Sequence, residues 1–282
     1  MVPSANILLP VDFSERSLDA ARQAEVLARH FQSAVTVLHV VDGHEQEFGR
    51  FEPGGVKARE LETLLARDFT AGSISRIVRD GNPAREILDF AAANHTDLIV
   101  MASHGYGPFE SFLMDSVAAE VLRDASCPVW IMAHAQEGLP PMFRNVLCAV
   151  DLGPRSERIV KWASRFASAF MTRLFVLHVF RSLEPGEQAD SPDEWLSQMD
   201  RDEICKVERE LGKEGQILFA GGNVPEAVCC QAKKLHADLL VIGRSPKADD
   251  VGITRSTSFT IIRESPCPVV SIQREWDGPR SA

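Results

Sequence analysis

Apolar and polar positions along the chain follow two alternating periods, and the whole alternation occurs twice. Residues 6–11 form a short apolar run, which predicts a buried strand. Ala20, Ala24, Leu27 and Phe31 then recur at helical spacing, so one helix face is apolar, and Ser14 stands where an N-cap belongs. Residues 34–41 are a second β-branched run, followed over 42–55 by a polar loop rich in Gly and Pro. The pattern then predicts a helix over 56–69, a strand over 74–78 and a helix opened by Asn82-Pro83, a cap followed by a proline at the first helical position. A strand over 97–102, a helix over 113–123 and a strand over 128–132 complete the unit.

The second half repeats this order, with strands near 145–150, 173–180, 216–220, 238–243 and 268–272. Its helices fall near 155–170, 192–211, 224–236 and 256–264. Individual residues repeat as well. Asp12 in Leu9-Pro10-Val11-Asp12 answers Asp151 in Cys148-Ala149-Val150-Asp151, and His39 in Leu38-His39-Val40 answers His178 in Leu177-His178-Val179. Thr96-Asp97-Leu98-Ile99-Val100 matches Ala237-Asp238-Leu239-Leu240-Val241, and Cys127-Pro128-Val129 matches Cys267-Pro268-Val269. The copies are far longer than a solenoid repeat. They predict two tandem domains, 1–137 and 143–282, joined by a short proline-stiffened linker over 138–141. Strand and helix alternate and the strands are apolar throughout. The fold class is therefore α/β, two doubly wound domains, each a five-stranded parallel sheet of order 3-2-1-4-5 with helices on both faces.

Composition narrows the partners. The 282 residues suit two domains that each bury a core. A net charge of −10 argues against nucleic acid, whose phosphates call for a basic face. No apolar run reaches the length of a membrane span and no leader-like segment opens the chain, so no membrane partner and a cytoplasmic location are expected. The six cysteines have no paired metal spacing and read as reduced, mostly buried thiols. The eight histidines never pair with Cys or Asp at metal-ligand spacing, so no metal site is expected.

In an open doubly wound sheet, ligands bind beyond the carboxyl ends of the strands where strand order reverses. That point lies between strands 1 and 4 of each copy. Asp12 leaves strand 1 there, and Ala102-Ser103-His104-Gly105 leaves strand 4. Ser116 opens the next helix, where its hydroxyl and amide face an incoming anion. Met101-Ala102-Ser103-His104-Gly105, nine residues, then Asp115-Ser116-Val117-Ala118 resembles the nucleotide loop of universal stress protein domains, which follows G-x-x-G, nine residues, G-[S/T]. The Pro-Val-Asp, Leu-His-Val and Cys-Pro-Val segments resemble the same family, and the resemblance extends over both copies.

The resemblance implies a stress-response protein that binds an adenine nucleotide, ATP or AMP, as a sensor or regulator without significant turnover. It implies contacts from Pro10, Val11, Asp12, Val40, Met101, Ala102, His104, Gly105, Ser116 and Val117 in copy one. In copy two it implies Asp151, Val179, Gly243, Arg244, Ser256 and Thr257. A homodimer is a further expectation. Both loops depart from the pattern. Asp115 puts a carboxylate where phosphates would lie, and Pro246 removes an amide donor. Arg244 and Arg255 offer replacement charge. Copy one is the expected main site.

Alternatives stand beside these readings. Asp12 and Asp151 either touch ligand or cap the turn after their strands, and His104 either meets phosphate or braces its loop. His39 and His178 read as structural rather than chemical groups. No nucleophile-and-base constellation and no lysine phosphate loop is present, so no enzyme is expected, with low residual ATPase left open. The alternative function is a universal stress protein with degenerate loops and no bound cofactor, acting through protein–protein contacts.

Overall fold

The computed structural model describes residues 5–42, 73–102, 116–132, 143–153, 156–180, 198–211, 215–244 and 253–273, with side chains from 201 in the sixth stretch and from 257 in the last. The chain divides into two compact units, with main spans Pro3–Leu139 and Pro140–Asp277. Unit 1 runs β1 (Asn6–Pro10), α1 (Glu15–Phe31), β2 (Ala34–Val41), β3 (Ile74–Asp80), α2 (Pro83–Ala93), β4 (Leu98–Ala102), α3 (Val117–Asp124) and β5 (Val129–Met132). Unit 2 runs β6 (Asn145–Ala149), α4 (Ser156–Phe170), β7 (Arg173–Phe180), α5 (Gln198–Leu211), β8 (Gln216–Gly221), α6 (Val224–Lys234), β9 (Leu239–Arg244), α7 (Ile253–Glu264) and β10 (Val269–Gln273). The expected helix over 56–69 and the linker over 138–141 lie outside the described residues.

The strand order is β3-β2-β1-β4-β5 in unit 1 and β8-β7-β6-β9-β10 in unit 2, every described ladder within a unit being parallel. Both are the 3-2-1-4-5 arrangement predicted from the sequence. Registers coincide too: Ile7 pairs with Leu98 as Val146 pairs with Leu239. The central strands are buried on both faces, Leu8, Leu9, Val146 and Leu147 having no exposed surface. That explains their unbroken apolar runs. Ala20, Ala24 and Leu27 of α1 are equally buried; α4 places Ile159, Ala163 and Phe166 there. The larger set stacks into an aromatic cluster, Trp162 on Phe166, with Phe143 edge-on to Phe166 and Phe170.

Caps follow the expected residues. Ser14 accepts from the Ser17 amide, Asn82 from Arg85 and Asn223 from Glu226. The repeat reaches the backbone itself. Left-handed residues Phe13, Gln32 and His95 correspond to Leu152, Met171 and His236, and Gly81 to Gly222. None but the glycines is a residue that adopts this conformation without strain.

One clasp ties the central strands at their amino ends. Asp97 Oδ2 accepts from the amides of Ala5 and Asn6 at 2.8 and 2.9 Å, while its own amide donates to the Asn6 carbonyl. Asp238 does the same to Arg144 and Asn145 at 2.7 and 3.0 Å. Amides that begin a strand have no ladder partner, and these carboxylates supply it. Asp97→Ala is therefore expected to lower unfolding free energy by about 2 kcal/mol. Urea titration checks it; a loss under about 0.5 kcal/mol would mean that the clasp is dispensable.

Four of the six cysteines, Cys127, Cys148, Cys229 and Cys267, are buried, while Cys205 and Cys230 are exposed; all six are free thiols. Burial pushes the Cys148 thiol far up, Cys267 up to about 12 and Cys229 up to about 11. Only thiolate reacts, and it forms above the raised pKa. An alkylating reagent at pH 8 is expected to label Cys205 and Cys230 of the folded chain within the time that leaves the other four intact, read by peptide mass spectrometry. Rapid labelling of Cys148 would contradict the burial argument.

Candidate functional site

The site starts at the turn after each first strand. The Val11 amide still donates to Leu38 on β2, and the Val150 amide to Leu177 on β7, both at 2.9 Å, so the chain leaves the sheet only after these residues. On the other side, β1 and β4 part earlier. Their register is recorded over two pairs, whereas that of β6 and β9 runs over four, to Ala149 and Ile242. Pro10, the counterpart of Ala149, has no amide hydrogen to offer a ladder.

A histidine braces each turn. His39 Nδ1 lies 2.9 Å from the Val11 carbonyl and His178 Nδ1 lies 3.1 Å from that of Val150. A carbonyl only accepts, so Nδ1 carries the proton and donates in both. The Phe13 ring stands edge-on to His39 at 4.6 Å, in the left-handed turn. The next residue in each copy is then held by the loop backbone. Asp12 Oδ1 accepts from the Ser14 amide at 3.0 Å and the Ser14 hydroxyl at 2.6 Å. Asp151 Oδ1 accepts from the Gly153 amide at 3.1 Å and the Ser156 hydroxyl at 3.3 Å. Turn capping is thus one role of both aspartates, with Oδ1 accepting these bonds in each.

The other wall of the switch point in unit 1 comes from β4 and α3. Met101 is buried and Ala102 half-buried, paired with Ile131 and Met132 of β5. Ser116 is the N-cap of α3, its hydroxyl accepting from the Ala119 amide at 3.2 Å. The amides of Val117 and Ala118 belong to the first turn and have no intrahelical acceptor. Val117 is exposed, and Val40 on β2 half-exposed. His104, Gly105 and Asp115 lie outside the described residues.

In unit 2 the switch point opens into a cleft of about 430 Å³. Of the sequence-derived residues, Asp151, Val179, Gly243 and Thr257 line it. Its remaining walls are Ala149, Val150, Ile159, Leu177, His178, Phe180, Val224, Val228, Ile242, Ser258 and Ile261. Phe180 and Ile242 were findable from the strand-end rule alone. Val224 and Val228 sit four apart on α6 and reach the cleft only through helix packing, which residue types do not announce. The volume and mixed lining are those of a small-molecule site.

Two residues depart from the sequence reading. Arg244 does not line the cleft; its guanidinium is buried and donates to the Ser271 carbonyl on β10. Its side chain is drawn across to the neighbouring strand β10 by that carbonyl rather than toward the cleft. Ser256 does not open its helix as Ser116 does, because α7 already begins at Ile253. The correspondence between copies is 141 residues at Leu98 and Leu239, and 140 at Val129 and Val269, so the intervening loop of copy two is one residue shorter. Pro246 and the Arg255 side chain lie outside what is described. Among the described residues, no group of three His, Cys, Asp or Glu side chains is placed to hold a metal. None of the described helices is long and apolar enough to cross a membrane.

Comparison with known proteins places this architecture. The profile of the universal stress protein family matches residues 4–133 and again 142–273. The chain belongs to the universal stress protein family, as two such domains in tandem. A universal stress protein of Methanocaldococcus jannaschii is 33% identical over 138 residues, 45% of this chain and 80% of that protein. One of Mycobacterium bovis is 26% identical over 187 residues, 63% of this chain and 62% of its own. The crystal structure of a universal stress protein from Archaeoglobus fulgidus superposes with a TM-score of 0.71 at 23% identity, covering 97% of both chains, which makes the two folds alike.

The brace makes a local prediction. His39→Leu leaves the Val11 carbonyl without its donor inside the fold, since His39 is 2% exposed. It is expected to cost about 1–3 kcal/mol of unfolding free energy. Chemical denaturation of the two proteins measures it, and equal midpoints would mean that the histidine is only filler.

Proposed function

We propose that the chain is a stress-response protein that binds an adenine nucleotide, ATP or AMP, mainly in unit 1, and acts as a sensor or regulator without significant turnover. The observation that carries this reading is the switch-point frame common to both repeats, which in unit 2 borders a cleft with a carboxylate held by a braced turn. Unit 1 repeats the frame: the strand register, the histidine brace and the aspartate. Unit 1 adds what phosphates need. The amides of Val117 and Ala118 have no acceptor within α3 and lie at the positive end of the helix dipole. In this reading Asp12 accepts from ribose hydroxyls, the role of acidic residues in nucleotide folds.

Turnover needs more than a cradle. Among the described residues of the frame there is no base and nucleophile pair, and binding without positioned reacting groups supports only slow chemistry. The proposal includes domain limits of 1–137 and 143–282, a cytoplasmic location and a homodimer. The alternative is a protein that acts by protein–protein contact without nucleotide; Asp115 and Pro246 favour it, one through like charge and one through a missing donor.

Calorimetric titration with ATP separates these. Wild type is expected to bind, and Asp12→Ala to lose most of that affinity. Asp115→Gly is expected to tighten binding by about 1 kcal/mol, roughly fivefold, by removing a like charge beside the phosphates. No heat with any of the three proteins would favour the contact-only alternative; unchanged affinity in the glycine variant would move the phosphates away from this loop.

Phosphate release by purified protein is expected to stay below about 1 per minute, a barrier of about 20 kcal/mol or more. A much faster rate, abolished in Asp12→Ala, would make the protein an enzyme.

A further inference from the structure

The two repeats share a frame but differ where a phosphate would sit. Matching the helix ends, Asp124 with Glu264, sets Val117 and Ala118 opposite Thr257 and Ser258. In α3 the first pair opens the helix, so their amides have no intrahelical acceptor. In α7 the helix starts four residues earlier, at Ile253, about 6 Å further along its axis. The amides of Thr257 and Ser258 are then the fifth and sixth of the helix and donate to the carbonyls of Ile253 and Thr254. The donors available in unit 1 are consumed in unit 2.

Charge points the same way. Among the described residues lining the cleft there is no lysine or arginine, and Asp151 is the one carboxylate. Arg244, the nearest cation in sequence to Gly243, is held on Ser271 instead. In the sequence after β9, Pro246 has no amide hydrogen, and Lys247 and Arg255 are matched in number by Asp249 and Asp250, so the stretch adds no net positive charge. What remains suits an uncharged ligand with a flat apolar part and a hydroxyl-bearing part. Val179, Phe180, Val228 and Ile261 offer apolar walls, while Asp151 accepts from hydroxyl donors and Ser258 adds a hydroxyl of its own.

We infer that the unit 2 cleft takes an unphosphorylated nucleoside in preference to a nucleotide, so that the two repeats hold ligands of different charge. The inference rests on the adenine-nucleotide reading and narrows it for one repeat.

The experiment uses the full chain with unit 1 silenced by Asp12→Ala and titrates it with adenosine and with ATP. Adenosine is expected to bind roughly tenfold or more tightly than ATP. Adding Val224→Trp, at the half-exposed start of α6 on the cleft wall, is expected to abolish adenosine binding. Thr257→Phe does the same from α7, and circular dichroism identifies whichever variant is folded. ATP binding as well as adenosine, with both lost on filling the cleft, overturns the inference and leaves the nucleotide reading intact. Adenosine binding that neither filling variant changes overturns it too, as does adenosine failing to bind while ATP binds wild type. If neither ligand binds even the wild-type chain, the nucleotide reading falls and the inference with it.

Discussion

The site geometry depends on the reversal of strand order at β1 and β6. A right-handed crossover from the first strand runs one way along the sheet, and the later crossovers run the other way. The loops leaving strands 1 and 4 must therefore diverge, and a crevice opens between them at the carboxyl ends. Everything that follows is a way of holding that crevice in shape. Asp97 and Asp238 clasp the central strands at the opposite end, where the same two strands meet. His39 and His178 fix the last carbonyl before the turn. Phe13 and Leu152 accept a left-handed conformation in the turn itself. For bulky residues that conformation is strained, and its recurrence in both copies marks it as part of the frame.

Within this shared frame the copies have drifted in complementary directions. Unit 1 has small residues under its first helix, a proline that shortens the β1–β4 ladder and an open start to α3. Unit 2 has bulkier residues under α4, a longer ladder and an extra helical turn at the start of α7. Its cleft is consequently walled by side chains rather than by free amides.

Much of this was legible in the residues. Unbroken apolar strands and helical spacing at Ala20, Ala24 and Leu27 carry the fold class, since period and burial follow from backbone geometry. The repeat carries the domain count, and the strand-end rule finds Asp12, Asp151 and Gly243. Two things escaped. Arg244 bonds the Ser271 carbonyl on β10, a partner set by the neighbouring strand that the residue types at the end of β9 do not reveal. The start of α7 escaped because Ser256 looks like a cap, yet a helix begins where its neighbours' hydrogen bonds allow, and residue type is a weak guide to that position. Val224 and Val228 needed the packing of α6 before they could be assigned to the cleft.

The central claim is that one frame serves two different ligand chemistries. Equilibrium dialysis of the intact wild-type chain against saturating radiolabelled ATP tests it by stoichiometry. The account gives one ATP per chain, held in unit 1. Two ATP per chain would make the repeats equivalent, and none would remove the phosphate site from unit 1; either contradicts the account.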